Sequence, residues 1–180
     1  MKAIILAAGM GSRIKPLTDN CPKTLLEIGG ISILERMLSN IQVCGISEVI
    51  IVLGYLQEQI EDFVGNTFPD LDVHFIINTR YTETNTGYSL MLTEDLVKGA
   101  PFVKFDADVV FDREILEKLL ASNDKNCLCI DKNIQLDAEE IKVVVRDGNR
   151  IVSASKTVLP CNAIGESIGI EKICVETADM

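Results

Sequence analysis

The chain has 180 residues, 47% of them hydrophobic and 24% charged, which is typical of a globular domain with one core. Its 27 acidic and 17 basic residues give a net charge of −10 without a basic run, which argues against nucleic-acid and anionic-membrane partners. No apolar stretch reaches the roughly 18 residues of a membrane-spanning helix. The short apolar run at the N-terminus is therefore interpreted as the first strand of a cytoplasmic protein rather than a signal peptide.

Five apolar runs are predicted strands, and four amphipathic stretches between them are predicted helices. The strands are Ala3–Leu6, Val49–Leu53, Val73–Ile77, Phe102–Phe105 and Cys127–Ile130, and the helices are Ile33–Cys44, Leu56–Val64, Ser89–Val97 and Arg113–Ala121. This alternation predicts an α/β fold with a Rossmann-like, mostly parallel sheet flanked by helices. We expect residues 1–180 to form one domain.

Two local signals refine these elements. Ser32 and Glu35 form a capping box at the start of the first helix, and Gly45 follows its end. Near the C-terminus, Ile141–Val145 and Ile151–Ser153 flank a turn sequence, which predicts a small antiparallel hairpin.

Cysteine and histidine contribute little to the predicted chemistry. The six cysteines show one Cys-x-Cys spacing, at Cys127 and Cys129, and match no zinc template, so they are interpreted as reduced small hydrophobic residues. The single histidine, His74, lies in an alternating strand pattern, which argues against histidine-dependent catalysis.

A glycine loop follows the first predicted strand. Gly9 and Gly11 would let backbone N–H groups approach a polyphosphate, although Ile14 breaks the dinucleotide fingerprint and Lys23 lacks the preceding glycine of a Walker A loop. Arg13, Lys15 and Lys23 add three cations to this loop in an acidic protein, which favours a triphosphate ligand. A plain tight turn in a solvated loop is the alternative.

The segment Leu6-Ala7-Ala8-Gly9-x-Gly11-Ser12-Arg13-x-x-Pro16-Leu17-Thr18-x-x-x-Pro22-Lys23 resembles the signature of nucleotidyltransferases that act on sugar phosphates and related phosphate esters. The resemblance implies the nucleotide-diphospho-sugar transferase fold and transfer of a nucleoside monophosphate from an NTP, with release of pyrophosphate. It also implies that Arg13 and Lys23 stabilise charge on the phosphates. The residues implied to contact the nucleotide here are Leu6, Ala8, Gly9, Gly11, Ser12, Arg13 and Lys23.

Two carboxylates, Asp106 and Asp108, end the fourth predicted strand, where ligands bind in open α/β sheets. Aspartate oxygens suit Mg²⁺ together with substrate phosphates. Capping of the following helix is the alternative, although Asp112 is better placed for it. The resemblance assigns the metal mainly to Asp108, with Asp106 supporting.

Other stretches indicate the nucleotide base. The polar loop that ends in Tyr88-Ser89-Leu90, and Gly54-Tyr55-Leu56, are similar to stretches in relatives that use CTP with phosphocholine or a polyol phosphate. The resemblance thus implies that Asn85, Gly87 and Ser89 face the base and that Gly54 and Tyr55 also bind the nucleotide. A plain polar loop, and a sugar-phosphate enzyme that uses UTP, GTP or dTTP, remain alternatives.

The acceptor side is predicted near the C-terminus. Lys156 matches the family's second lysine beside the acceptor phosphate, with an ordinary surface lysine as the alternative. Gly165–Gly169 fits a hydrolase nucleophile pattern, but no histidine follows Ser167 in the chain. Related cytidylyltransferases carry a similar stretch on the acceptor side, which makes Glu166 a candidate contact.

The resemblance covers roughly residues 1 to 172, whereas relatives usually continue further and supply a second metal-binding carboxylate there. Glu171, Glu176 and Asp179 lie in a tail that does not match that region. An inactive or regulatory nucleotide-binding domain is therefore the competing expectation. The acceptor itself stays open among phosphocholine, aminoalkyl phosphates or phosphonates, inositol phosphate and sugar phosphates.

Overall fold

The computed structural model describes residues 1–178, so Asp179 lies outside the described part. The strands are β1 Lys2–Ala7, β2 Glu27–Ile28, β3 Ile31–Ser32, β4 Glu48–Leu53, β5 Asp72–Ile77, β6 Phe102–Asp106, β7 Cys127–Asp131, β8 Lys142–Arg146, β9 Arg150–Ser155 and β10 Gly165–Ile173. The helices are α1 Ile33–Val43, α2 Gln57–Thr67, α3 Thr86–Met91, α4 Glu94–Val97, α5 Arg113–Ala121 and α6 Val175–Ala178.

Eight strands form one mixed sheet in the order β5-β4-β1-β6-β10-β8-β9, with β7 also paired to β10. The first four are parallel, and β10 runs antiparallel to β6, β7 and β8. Strands β2 and β3 form a separate antiparallel pair. The predicted α/β class, with a mostly parallel sheet flanked by helices and a small antiparallel hairpin, β8 and β9, is confirmed.

Helices cover both faces of the parallel strands, as their continuous hydrophobicity predicted. Ala3 and Ile5 of β1 face one cluster with α1, α2 and α5, whereas Ile4 faces a smaller cluster with Val97 of α4. This alternation follows from the two-residue period of a strand, and it places β1 at the buried centre. None of the described helices has the length and apolar character needed to cross a membrane.

The first predicted helix is confirmed as α1, and the Ser32 hydroxyl accepts a hydrogen bond from the Glu35 backbone N–H at 3.0 Å.

The predicted helix Ser89–Val97 is instead two short helices, α3 and α4. Thr93 lies at the break, and its hydroxyl donates to the Leu90 carbonyl at 2.7 Å. A local hydroxyl bond of this kind competes with the helical backbone pattern.

Strand β10 was not predicted. Its two glycines, Gly165 and Gly169, interrupt the strand pattern in the sequence. Gly169 has φ +77°, and the pairing with β7 shifts register between Ser167 and Glu171, which marks a β-bulge. The bulge brings the backbone of β10 against the end of β6.

Candidate active site

A cleft of about 740 Å³ opens at the carboxyl ends of β1 and β6. Parallel strands that are neighbours in the sheet end at the same edge, so the glycine loop after β1 and the carboxylates of β6 meet there. Predicted site residues that line the cleft are Leu6, Ala8, Gly9, Gly11, Ser12, Arg13, Lys23, Asn85, Ser89, Asp106 and Asp108. The structure thus brings together most of the predicted nucleotide and metal residues.

The two glycines of the loop differ in what surrounds them. Gly11 has φ +62°, and a Cβ there would lie 2.8 Å from Thr18 Cγ2, while the buried Thr18 hydroxyl donates to the Gly11 carbonyl at 2.9 Å. A Cβ on Gly9 would meet no protein atom within 4 Å. Gly11 is therefore required by the fold of the loop, whereas Gly9 leaves its backbone open to the cleft.

Lys23 connects the glycine loop to the acidic side of the cleft. It begins a short 3₁₀ turn after Pro22, and its Nζ donates to Asp108 Oδ2 at 2.5 Å. Both side chains keep access to solvent, with 32% and 43% exposed. A cation from the glycine loop and an anion that follows β6 thus lie in contact inside the cleft.

Asp106 is held by its neighbours. Lys104 Nζ lies 2.8 Å from Asp106 Oδ1 and 3.4 Å from Glu171 Oε1 on β10. On the other side, a Cβ at Gly169 would come within 2.4 Å of Asp106 Oδ2, so the bulge of β10 packs against this carboxylate. Both aspartates therefore pair with lysines and do not cap α5.

Asp106 and Asp108 are the carboxylates of the cleft that could hold a magnesium ion. They supply hard oxygen donors on one side of the cleft, and Mg²⁺ takes its other ligands from substrate phosphates and water. Within residues 1–178, no group of three or more His, Cys, Asp or Glu side chains is arranged to hold a metal ion. Water or substrate oxygens would therefore have to complete the coordination.

A buried asparagine organises the loop that was predicted to face the base. Asn78 is 1% exposed, and its amide donates to the hydroxyls of Thr84 and Ser89, both at 3.0 Å. Its carbonyl oxygen accepts from the Arg80 backbone at 2.9 Å. Asn85 caps α3 by accepting from the Tyr88 N–H at 3.1 Å. This network fixes the wall of the cleft opposite the carboxylates.

Three residues predicted to bind the nucleotide, Gly54, Tyr55 and Gly87, lie outside the lining of the cleft. Gly54 packs behind it, since a Cβ there would lie 2.7 Å from the Ala8 carbonyl and 2.8 Å from Tyr81. The Tyr55 hydroxyl donates to the Asp19 carbonyl at 2.8 Å and so fastens the glycine loop. Gly87 lies in the first turn of α3, and a Cβ added at this position would lie 3.3 Å from Asn85 Oδ1.

The acceptor-side candidates also lie outside the cleft lining. Lys156 Nζ and Arg13 Nη1 both approach Glu139 Oε2, at 3.5 and 3.6 Å, so Lys156 lies near the glycine loop. Glu166 lies on β10, where burial raises the pKa of its carboxyl and the nearby carboxylates of Glu140, Asp131 and Asp137 raise it further. Glu166 is thus in an acidic neighbourhood.

Sequence reasoning missed several residues of the site. Asn78, Tyr81, Thr84 and Thr86 line the cleft, and the polar composition of their loop was the available signal. Lys104 was also missed, although a charged residue inside an otherwise apolar strand is itself a signal.

Comparisons with known proteins show similarity in both sequence and fold. Residues 3–153 match the family described as the MobA-like NTP transferase domain. Choline-phosphate cytidylyltransferase of Haemophilus influenzae is 42% identical over 115 residues, which cover 64% of this chain and 47% of that protein. CTP:phosphoglutamine cytidylyltransferase of Campylobacter jejuni is 31% identical over 138 residues, which cover 74% of this chain and 53% of that protein.

Among solved structures, the inositol-1-phosphate CTP transferase from T. maritima superposes with a TM-score of 0.84 at 23% identity, covering 98% of this chain and 71% of that one. At this identity the likeness shows a shared fold. The chain spans about half the length of the two relatives matched by sequence.

Proposed function

Because the chain belongs to the family of MobA-like NTP transferase domains, we propose that it transfers CMP from CTP to a small phosphorylated acceptor and releases pyrophosphate. The observation that carries the proposal is the contact between Lys23 and Asp108, which joins the glycine loop to the carboxylates of β6 inside one cleft. The similarity to cytidylyltransferases supports CTP as the nucleotide.

In the proposed reaction an ionised phosphate oxygen of the acceptor attacks the α-phosphorus of CTP. A new oxygen–phosphorus bond forms as the bond to the β-phosphate oxygen breaks, and pyrophosphate leaves with the electron pair. Because the attacking oxygen is already ionised, no general base is needed. Positioning and charge stabilisation then supply most of the rate acceleration.

The glycine loop binds the triphosphate in this proposal. Gly9 lets backbone N–H groups approach the phosphates, and Arg13 and Lys23 stabilise the charge that develops on the departing pyrophosphate. Asp108 and Asp106 would hold Mg²⁺, which when bound neutralises phosphate charge and draws the two substrates together. Lys23 itself orients the Asp108 carboxylate.

The opposite wall of the cleft selects the base. Asn85 and Ser89 present amide and hydroxyl groups to the cytosine edge, on a loop held in place by Asn78. Gly54 and Tyr55 support the nucleotide site indirectly, because both pack against the glycine loop and do not line the cleft. Gly87 allows the first turn of α3 to form close to Asn85.

Lys156 is the proposed contact for the acceptor phosphate. Lys156 and Arg13 both approach Glu139, and Arg13 lines the cleft, which supports an acceptor site on the side of the antiparallel strands. Glu166, on the same group of strands, is proposed as a contact for the rest of the acceptor.

The test is pyrophosphate release with Mg²⁺, each of CTP, UTP, GTP and dTTP, and a panel of phosphocholine, an aminoalkyl phosphonate, inositol phosphate and a sugar phosphate. Release with CTP and one acceptor supports the proposal, with Lys23→Ala as the negative control. Release with another nucleotide indicates a sugar-phosphate enzyme. Binding of CTP without release from any mixture indicates a regulatory domain.

A further inference from the structure

Lys104 is a buried lysine between two carboxylates. It lies on β6 in the middle of the sheet and is 7% exposed. Its Nζ lies 2.8 Å from Asp106 Oδ1 and 3.4 Å from Glu171 Oε1, and Lys104 and Glu171 are register partners of β6 and β10. One ammonium therefore bridges the proposed metal-binding strand and the antiparallel half of the sheet.

The two carboxylates are only partly buried, with 36% of the Asp106 side chain and 33% of the Glu171 side chain exposed. Asp106 also lines the nucleotide cleft, whereas Glu171 lines a second cavity, beside β7 and β10. Ions from solvent can thus reach these carboxylates, while Lys104 fills the space between them.

The net charge of the surrounding groups determines which ion can bind between the Asp106 and Glu171 carboxylates. The charges of the two carboxylates and the Lys104 ammonium sum to −1. The ammonium already contacts one oxygen of each carboxylate as a hydrogen-bond donor. Without the ammonium, two facing carboxylates would carry −2, and carboxylate oxygens are the preferred ligands of small divalent cations. The lysine therefore takes the place that a divalent cation would otherwise occupy.

We propose that Lys104, as a fixed cation, excludes a second divalent ion from the space between Asp106 and Glu171. The proposal rests on the proposed function in assigning the first metal ion to Asp106 and Asp108. The packing of Gly169 on the other side of Asp106 supports it, because the carboxylate is then constrained from both directions.

The test counts bound Mn²⁺ by electron paramagnetic resonance in the wild type, Lys104→Met and Lys104→Gln, without nucleotide. We expect each single variant to bind one more Mn²⁺ per chain than the wild type. The double variant Lys104→Met/Glu171→Gln removes the second carboxylate and should return to the wild-type count. Circular dichroism checks that each variant is folded, and the glutamine variant retains an amide donor if the methionine variant does not fold.

Equal Mn²⁺ counts in the wild type and the folded single variants would overturn the proposal and leave Lys104 with a structural role alone. An extra ion in the double variant would also overturn it, because the ion would then bind elsewhere. The count requires no turnover, so a wild type that releases no pyrophosphate would refute the proposed function without changing this result.

Discussion

Lys23 Nζ and Asp108 Oδ2 lie 2.5 Å apart, although the two residues are separated by 85 positions in the chain. The contact spans the cleft between the glycine loop and β6, which are brought together because β1 and β6 are adjacent parallel strands. The proposed phosphate-binding lysine and the proposed metal-binding carboxylate are thereby in contact in the protein without substrate.

Replacing Lys23 by alanine is expected to lower turnover by about 10²- to 10³-fold, the typical cost of removing one group that stabilises developing charge. The free energy of unfolding should change by under about 1 kcal/mol, because the ion pair is partly exposed. Lys15→Ala is the matched control, since Lys15 lies in the same loop and pairs with Asp19. Pyrophosphate release and urea unfolding measure the two effects, and full activity of Lys23→Ala would contradict this role.

The glycine loop offers a comparison of two alanine variants. Gly9→Ala should fold as the wild type does but bind CTP more weakly, because its Cβ meets only the open cleft. Gly11→Ala should lose about 1–2 kcal/mol of stability, because alanine would have to adopt the left-handed backbone conformation of Gly11. The new Cβ would also lie too close to the Thr18 side chain. Isothermal titration with CTP and thermal unfolding distinguish them. Unchanged CTP affinity in Gly9→Ala would show that the loop does not contact the triphosphate.

Removal of the Asn78 amide should weaken both the fold and base binding. Asn78→Ala leaves the Arg80 N–H and the Thr84 and Ser89 hydroxyls without this partner, which typically costs about 1–3 kcal/mol. KM for CTP should rise, because Ser89 and Asn85 lose their support. Thr82→Ala, a change in the same loop, is the control. A wild-type KM in a stable Asn78→Ala variant would argue against a role for this loop in base binding.

The raised pKa of Glu166 predicts a pH effect on stability. Burial, followed by the Glu140, Asp131 and Asp137 carboxylates, disfavours the ionised form, so the folded-state pKa lies above the ordinary 4.5. The contribution of Glu166 to stability is then fully present below pH 4.5 and is lost as the pH rises through the raised value.

Glu166→Gln should therefore gain stability relative to the wild type between pH 4 and pH 7, as measured by urea unfolding at about these two values. Glu58→Gln, on the exposed face of α2, serves as the control. A constant difference between Glu166→Gln and the wild type across this range would show that Glu166 ionises equally easily in the folded and unfolded chain.

The part of the site that could be predicted from the sequence depends on local patterns and on one topological rule. That rule is that neighbouring parallel strands end at the same edge of the sheet. Gly9, Lys23 and Asp108 could be placed together because each follows an apolar strand or belongs to a recognisable signature. Strand β10 could not be predicted, since its Gly169 bulge and its pairing with β6 depend on contacts between residues far apart in the chain. The proposed role of Lys104 depends on the same long-range pairing.

The most direct test of the central claim is to follow the α-phosphate of CTP labelled with ³²P, with Mg²⁺ and the acceptor that gives pyrophosphate release. The account predicts that label moves into a phosphoanhydride of CMP and the acceptor, in an amount equal to the pyrophosphate released, and that Lys23→Ala lowers the rate of both about 10²- to 10³-fold. Label that stays in CTP, or appears only in free CMP while the acceptor is unmodified, would contradict nucleotidyl transfer by this chain.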